Sequence, residues 1–376
     1  MNFIPFARPT IDEAMIAAVA DTLRSHWIAS GPQVAAFEKG LSQLVGGRPV
    51  RTVTSATAAM QLALEMIGTG PGDEVITPAQ SFFATANVIE RTGATTVFVD
   101  VDLATRNLDM AAAHAAVTPR TRALLPTHYN APLDAGALAA FRKRHGVRIV
   151  EDAALAIGSR VDGRPVGAVG DLVSFSFHPN KNLTTIEGGA LVLNDEAEAA
   201  AIERLRFHGI ARLEDGTRDI VAPGAKFNMS DVSARLGNAQ LPHLEAWCRA
   251  RARLAEHYFA ELEGDDLLTP DRLPPRDNPG HSWNMFTVLL PLEAAGVSRK
   301  QFIEAMHKEG IGVGISYEAI HLSTYFRAKG FAPGRFPNSE RIARETVTLP
   351  LFPEMMQADV ERVCAAMRRA LRRKAA

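Results

Sequence analysis

Cysteine is scarce in this 376-residue chain: Cys248 and Cys364 are the only two, with no CxxC pair and no metal-ligand spacing. That excludes a disulfide scaffold and a thiolate metal site, and reads as two reduced structural thiols in a cytoplasmic protein. A charge excess is also missing. Lys plus Arg number 41 against 42 acidic residues, a net charge of -1, so the chain lacks the basic surplus on which nucleic-acid and membrane-surface binders rely. No run of about 18 uncharged apolar residues occurs that would span a bilayer. The opening MNFIPFARPTIDEAM lacks the basic-then-apolar order of a signal peptide, and no internal repeat is present. What remains is an ordinary globular composition, 47% hydrophobic and 22% charged, in a chain too long for one hydrophobic core.

From about residue 50 the chain alternates short β-rich runs with helical periods. Strands are expected at Val50–Val53, Glu74–Thr77, Thr96–Val101, Ala123–Thr127, Val147–Glu151, Leu172–Phe177 and Ala190–Leu193. Between them TAAMQLALEMIG, FFATANVIERTG and LDAGALAAFRKRHG have helical periodicity and end in the glycine that stops a helix. Runs such as RIVEDAA and LVSFSF are apolar almost throughout, as strands covered on both faces are. The pattern is that of a mostly parallel sheet inside helices. After residue 230 it changes to a long helical region bent near Pro242, a Pro-rich link, the strand-like MFTVLLPL, a helix from Arg299 to Lys308, and a last helix from Ala358. We therefore expect a large domain over 1–245 and a smaller α+β domain over 246–376. The basic tail MRRALRRKAA suits the C-terminus of a solvated helix.

In such a sheet the ligand lies beyond the carboxyl ends of the strands. Asp152 follows RIVE there, where a lone carboxylate is ordinarily a cap or an ion-pair partner. Ala56 and Thr57 lie in the small-residue turn Ser55–Ala56–Thr57–Ala58, which opens a helix; such a turn suits a phosphate, or is an ordinary N-cap. Phe82 follows a further strand end. Ser176 and Lys181 belong to SFSFHPNKNLTTIEGG, where a lysine links apolar segments. Each has a bland reading alone. Together, a phosphate cradle, an aromatic face, a strand-end acid and a lysine are the parts needed to hold pyridoxal 5'-phosphate (PLP), whose Schiff base requires a partly desolvated lysine.

The ordered motifs PFARP, WIASGP, TSATAAM, GDEVITP, GATTVFVDVD, TPRTRALLPTHY, VEDAA, SFSFHPNKNLTTIEGG, RFHGI, KFNMSD, HSWNMF, GIGVG and TLPLFPEM run nearly end to end. On them the chain resembles the DegT/StrS-type PLP-dependent aminotransferases of nucleotide-linked keto-sugars. Within these it is most similar to the group that forms UDP-4-amino-4-deoxy-L-arabinose. The resemblance implies the fold type I transferase fold, with a seven-stranded large domain. It implies that Lys181 carries the cofactor, that Asp152 faces its ring nitrogen and that Phe82 stacks on the ring. Ala56, Thr57 and Ser176 would hold the phosphate. Asn228, in KFNMSD, would reach it across the interface of a homodimer. Trp27, Ser30 and His321 are the expected sugar-pocket residues, and no metal, nucleic acid or membrane partner is implied.

Three departures from the family pattern bear on this expectation. Leu155 stands where relatives carry Gln or His against the cofactor's phenolic oxygen, Asn284 stands where many carry His, and the loop THYNAPLD is a residue shorter and lacks its glycine. The first is expected to alter the Schiff base's titration; the other two concern the substrate entrance. The implied reaction is a ping-pong transamination in which L-glutamate gives its amino group and leaves as 2-oxoglutarate, and a keto-sugar takes it. The same fold also suits an aminotransferase of small ketones, aldehydes or amines. A PLP-binding regulator without turnover is disfavoured by the intact Lys181 and Asp152, and Lys181 separates the chain from relatives with His there, which run a dehydration.

Overall fold

A computed structural model describes residues 2–129, 131–278 and 280–372. Asn130 of the THYNAPLD loop, the Pro279 of the Pro-rich link and the last four residues of the basic tail lie outside them. Seven strands form the central sheet: β1 (Val50–Val53), β2 (Glu74–Pro78), β3 (Thr95–Val99), β4 (Thr121–Leu124), β5 (Arg148–Asp152), β6 (Leu172–Ser176) and β7 (Gly189–Val192). Their order is β1-β7-β6-β5-β4-β2-β3. Pairings from β6 through β3 are parallel, whereas β7 runs antiparallel to both β6 and β1. Each expected strand is present, shifted by at most a few residues, because continuous β-branched and apolar runs fit the two-sided burial of this sheet. β2, β6 and β7 are buried along their whole length.

The helices end where glycine permits a left-handed residue: Ala84–Thr92 at Gly93 and Ala135–His145 at Gly146, with φ of 83° and 68°. The region after residue 230 is one interrupted helix, Asp231–Gln240, a 3-10 turn Leu241–His243 containing Pro242, and Leu244–Leu262. The proline removes a backbone donor and bends the path there. Apolar packing divides along the chain. Clusters on the two sheet faces draw on residues from Val34 to Leu244, and a separate core runs from Leu254 to Leu371. Ile4 belongs to this second core through a backbone pairing with Ile311, so the first residues pack with the last hundred. A two-stranded ribbon, Phe286–Leu289 against Thr346–Leu349, backs that core. Among the described residues no helix is long and apolar enough to cross a membrane.

The topology reverses at β6 and β7. The link between them, Phe177–Gly188, emerges at the same sheet end as the carboxyl terminus of β5. That places Lys181 beside Asp152, 29 positions away in sequence, and opposite the first turn of the Ala56–Met66 helix.

Candidate active site

A cavity of about 350 Å³ opens at this sheet end. Its phosphate-sized corner is the turn Ser55–Ala56–Thr57. The Ser55 side chain caps the helix by accepting from the Ala58 N–H at 3.0 Å. The Ala56 and Thr57 N–H groups donate to nothing in the described chain, which leaves two donors and the positive helix end facing the cavity. Both readings of this turn therefore hold at once: the serine is the N-cap, and its neighbours are free for an anion. Ser176 at the end of β6 closes the corner. Gly189 fixes the geometry from behind, since a Cβ there would run into the backbone of Ser55 and Ala56.

Asp152, 3% exposed at the end of β5, forms the opposite wall. One carboxylate oxygen accepts from the Ala154 N–H at 3.0 Å. Burial raises its pKa, against the pull of that N–H, of Lys181 and of His128. The His128 ring is itself fixed, its Nδ1 accepting from the Leu133 N–H and its Nε2 lying 2.9 Å from Glu151. Nδ1 as acceptor leaves the proton on Nε2, which donates to Glu151.

Lys181 lies in a tight turn, its N–H bonded to the His178 carbonyl at 2.9 Å. Its amine has no hydrogen-bond partner among the described residues and is lowered to about 8, by burial first and against the attraction of Asp152. The residue as a whole is partly open to the cavity mouth, but the amine sits deep enough for desolvation to dominate. At pH 7 about 9% of such amines are neutral, against about 0.03% for an ordinary lysine. Phe82, 53% exposed, stands over the mouth with its ring 5.5 Å from that of Tyr317.

The structure thus gathers Ala56, Thr57, Phe82, Asp152, Leu155, Ser176 and Lys181 on one lining. It adds residues that the sequence did not single out: Ser81, bonded to Thr127 at 3.0 Å, and His178, Asn180, Glu187 and Tyr317. His178 to Glu187 lie inside the lysine motif itself and carried a signal by proximity; Tyr317 comes from the C-terminal part of the chain and carried none. Leu155 packs with Tyr129, Met285 and Tyr317 in an apolar cluster. Beside it a second cavity of about 140 Å³ is shared by Leu155, Asn180, Asn284 and Tyr317. Asn284 donates to the Asn180 carbonyl at 3.0 Å and to the Asn182 side chain at 3.2 Å, so it borders the adjoining cavity and reaches the cofactor cavity only through Asn180.

Four expected residues lie elsewhere. His321 is fully buried, its Nε2 3.1 Å from Glu340 and its ring packed on Phe336 at 4.8 Å. It borders neither cavity of this chain, and its Nε2 is spent on a buried carboxylate. Trp27, Ser30 and Asn228 cluster at the surface. The Asn228 amide donates to the Ser30 hydroxyl at 2.7 Å, and Ser30 donates to the Met229 carbonyl at 2.6 Å. None of the three lines this chain's own cavity.

An aldehyde-reactive lysine, an acid opposite it, two unspent N–H donors at a helix start and an aromatic lid fit PLP in size and chemistry. These features, on a seven-stranded fold type I sheet, define a PLP-dependent aminotransferase. The chain belongs to the DegT/DnrJ/EryC1/StrS aminotransferase family, whose model matches residues 9–368. It is similar to DesV of S. venezuelae, solved in complex with a ketimine intermediate, at 32% identity over 100% of both chains with a TM-score of 0.90. DesI, solved in the presence of its TDP-sugar product, is 31% identical, with 99% of this chain and 94% of that one covered and a TM-score of 0.89. Spr1654 of Streptococcus pneumoniae, assigned as a sugar aminotransferase, is 30% identical in its PMP form, over 98% of each chain with a TM-score of 0.90; it was also solved in a PLP form.

Proposed function

We propose that this enzyme moves the amino group of L-glutamate to a nucleotide-linked keto-sugar, a UDP-4-keto-pentose or a related 4-keto-hexose, releasing an amino-sugar and 2-oxoglutarate. The observation that carries the reading is the desolvated Lys181 amine facing Asp152 in a cavity whose rim, His178, Asn180 and Glu187, is polar. When bound, PLP withdraws electrons from the substrate carbon that bears the amino group and so acidifies its C–H bond. The rest is the work of this chain. The Ala56 and Thr57 N–H groups and the Ser176 hydroxyl hold the phosphate. Asp152 holds a proton on the ring nitrogen, and Phe82 covers the ring face. Lys181 Nζ takes the proton from the donor's Cα and gives it up again, as base and then acid. Leu155, Tyr129, Met285 and Tyr317 keep water from one side.

The active unit we infer is a homodimer. Asn228, half-buried and away from this chain's own cavity, would serve the phosphate of the partner. Mixing Lys181→Ala and Asn228→Ala chains tests this: a mixed dimer holds one site with both residues intact, so about a quarter of wild-type activity should return. Two inactive parents that stay inactive after mixing would refute the shared site.

A second reading, with a small ketone, aldehyde or amine as substrate, is favoured by the 140 Å³ of the adjoining cavity. The pyridoxamine form should be re-oxidised by UDP-4-keto-pentose or dTDP-4-keto-6-deoxyhexose. Re-oxidation by simple keto compounds alone would overturn the sugar reading in favour of the second.

A further inference from the structure

Ile186 holds a backbone conformation that its side chain opposes. Its φ is 71°, and among the described residues it is the one β-branched side chain at positive φ outside glycine. A branched Cβ crowds the backbone in that region, so such a residue persists only where its surroundings over-determine it. Here they do. The Thr184 hydroxyl donates to the Phe177 carbonyl at 2.9 Å and accepts from the Ile186 N–H at 3.0 Å. The Thr185 hydroxyl donates to the Glu187 carbonyl at 2.9 Å, and Gln240 binds both the N–H and the carbonyl of Thr184. Phe177 N–H bonds Gly188 at 2.9 Å, closing the loop, and a Cβ on Gly188 would collide with the Thr185 hydroxyl. The Ile186 side chain gains nothing by this, since it is 58% exposed.

The next residue shows what the strain obtains. Glu187 lines the cofactor cavity at its mouth, and its carboxylate has no hydrogen-bond or ion-pair partner among the described residues. His178 and Asn180, bonded to each other at 2.8 Å, line the same cavity. Lys181 is the one cation on this lining, against two acids, Asp152 and Glu187. A second negative charge at the mouth is a poor contact for a dicarboxylate or a phosphate. It is a strong one for hydroxyl groups, because an ionised carboxylate only accepts and does so better than a neutral group.

We propose that Glu187 is a substrate-recognition residue, its carboxylate accepting hydrogen bonds from hydroxyl groups of a polyhydroxylated keto substrate, and that the strained backbone at Ile186 aims it. The proposal rests on the sugar reading above and sharpens it. The nucleotide is held elsewhere, while the sugar ring's hydroxyls meet Glu187 at the cavity mouth. Ile186 touches no substrate; it is a positioning residue.

Glu187→Ala and Glu187→Gln are compared with wild type in the two half-reactions, followed separately by absorbance, with calorimetric binding of the amino-sugar product as an activity-free readout. Loss of a hydrogen bond to a charged group should raise the KM for the keto-sugar and the product Kd by about 10- to 100-fold in Glu187→Ala. The glutamate half-reaction should not weaken, since either variant removes a like charge from the path of the dicarboxylate donor. Keto-sugar turnover by wild type that survives Glu187→Ala with unchanged KM and Kd would overturn the role of Glu187 alone. Wild type that accepts only keto acids without hydroxyls would overturn the sugar reading and this proposal together. Ile186→Gly should raise the melting temperature and the keto-sugar KM while keeping kcat. A stabilised Ile186→Gly protein with wild-type KM would overturn the aiming role.

Discussion

Replacing Lys181 by methionine in the cofactor-free protein isolates what burial does to the amine. Lysine ordinarily titrates at 10.5, and burial lowers this one to about 8 even with Asp152 pulling it back. The folded protein therefore holds fewer protons than the unfolded chain between pH 8 and 10.5, and stability rises with pH across that window. Below pH 8 both states are protonated and the full cost of the buried ammonium is present, roughly 3 kcal/mol at about 1.36 kcal/mol per tenfold. Above 10.5 both are neutral and the cost is gone. Lys181→Met removes the titrating group while keeping a similar volume, so it should stabilise the apoprotein at pH 7 by up to roughly 3 kcal/mol, a large effect against the usual mutational range. The gain should shrink as pH rises through 8 and vanish near 10.5. Urea unfolding of both proteins at pH 6.5, 8, 9.5 and 10.5 measures the difference, in which titrating groups that do not meet Lys181 cancel and Asp152, which does, is left. A difference that does not change with pH, or a wild type that is the more stable at pH 7, would refute the claim of a desolvated amine. In the cofactor-loaded enzyme the same variant must fail to exchange with glutamate; one that still cycled would remove Lys181 from the mechanism.

His321→Ala should cost about 2–4 kcal/mol in stability through the lost Glu340 bond and the space left against Phe98 and Phe336, with both KM values unchanged; a raised KM with an unchanged melting temperature would return His321 to the substrate site. Gly189→Ala pushes the backbone of Ser55 and Ala56, and should weaken PLP binding at least about tenfold in an absorbance titration while destabilising the protein by about 1–3 kcal/mol. Leu155→Gln buries an amide among Tyr129, Met285 and Tyr317, at a cost of about 1–3 kcal/mol in the apoprotein. With PLP bound the amide gains the cofactor's phenolic oxygen, so the cost should shrink and the pH midpoint of the visible band should move; equal costs with and without cofactor would mean that Leu155 does not face that oxygen.

What could be read ahead of the structure follows the range of the forces involved. β5 and β6 were visible because a strand buried on both faces is apolar along most of its length, and the stops at Gly93 and Gly146 because a left-handed residue costs glycine least. Lys181, Asp152 and Ser176 were visible for a related reason: each is polar directly beyond an apolar strand, where the sheet's own geometry places ligands. Tyr317 could not be found this way. It reaches the cavity 165 positions after Asp152, and no local pattern encodes the bonds from Tyr129, Thr346 and Thr348 to Ser316 that hold it there.

His321 and Asn228 are a different case, in which a local motif was visible but its partner was not. A histidine between short apolar runs reads the same whether its ring meets a substrate or a buried carboxylate. The choice fell to Glu340, held by the Gly334 and Phe336 N–H groups, and a carboxylate so fixed accepts the N–H of a neutral imidazole. Asn228 is unresolved by sequence for a different reason: its amide is spent only on surface partners in its own chain, Ser30 and Lys226. A polar surface cluster of that kind is worth little to stability, and its placement away from its own cavity has a use if a second chain brings a phosphate to it. Glu187 completes the comparison. It sat in plain view within TTIEGG, yet nothing in its neighbours predicted a role, because the informative quantity was the backbone angle of the isoleucine before it. An acid on a loop is ordinarily solvent-facing decoration; an acid aimed by a residue that resists the aim is a different object, and only the folded chain distinguishes them.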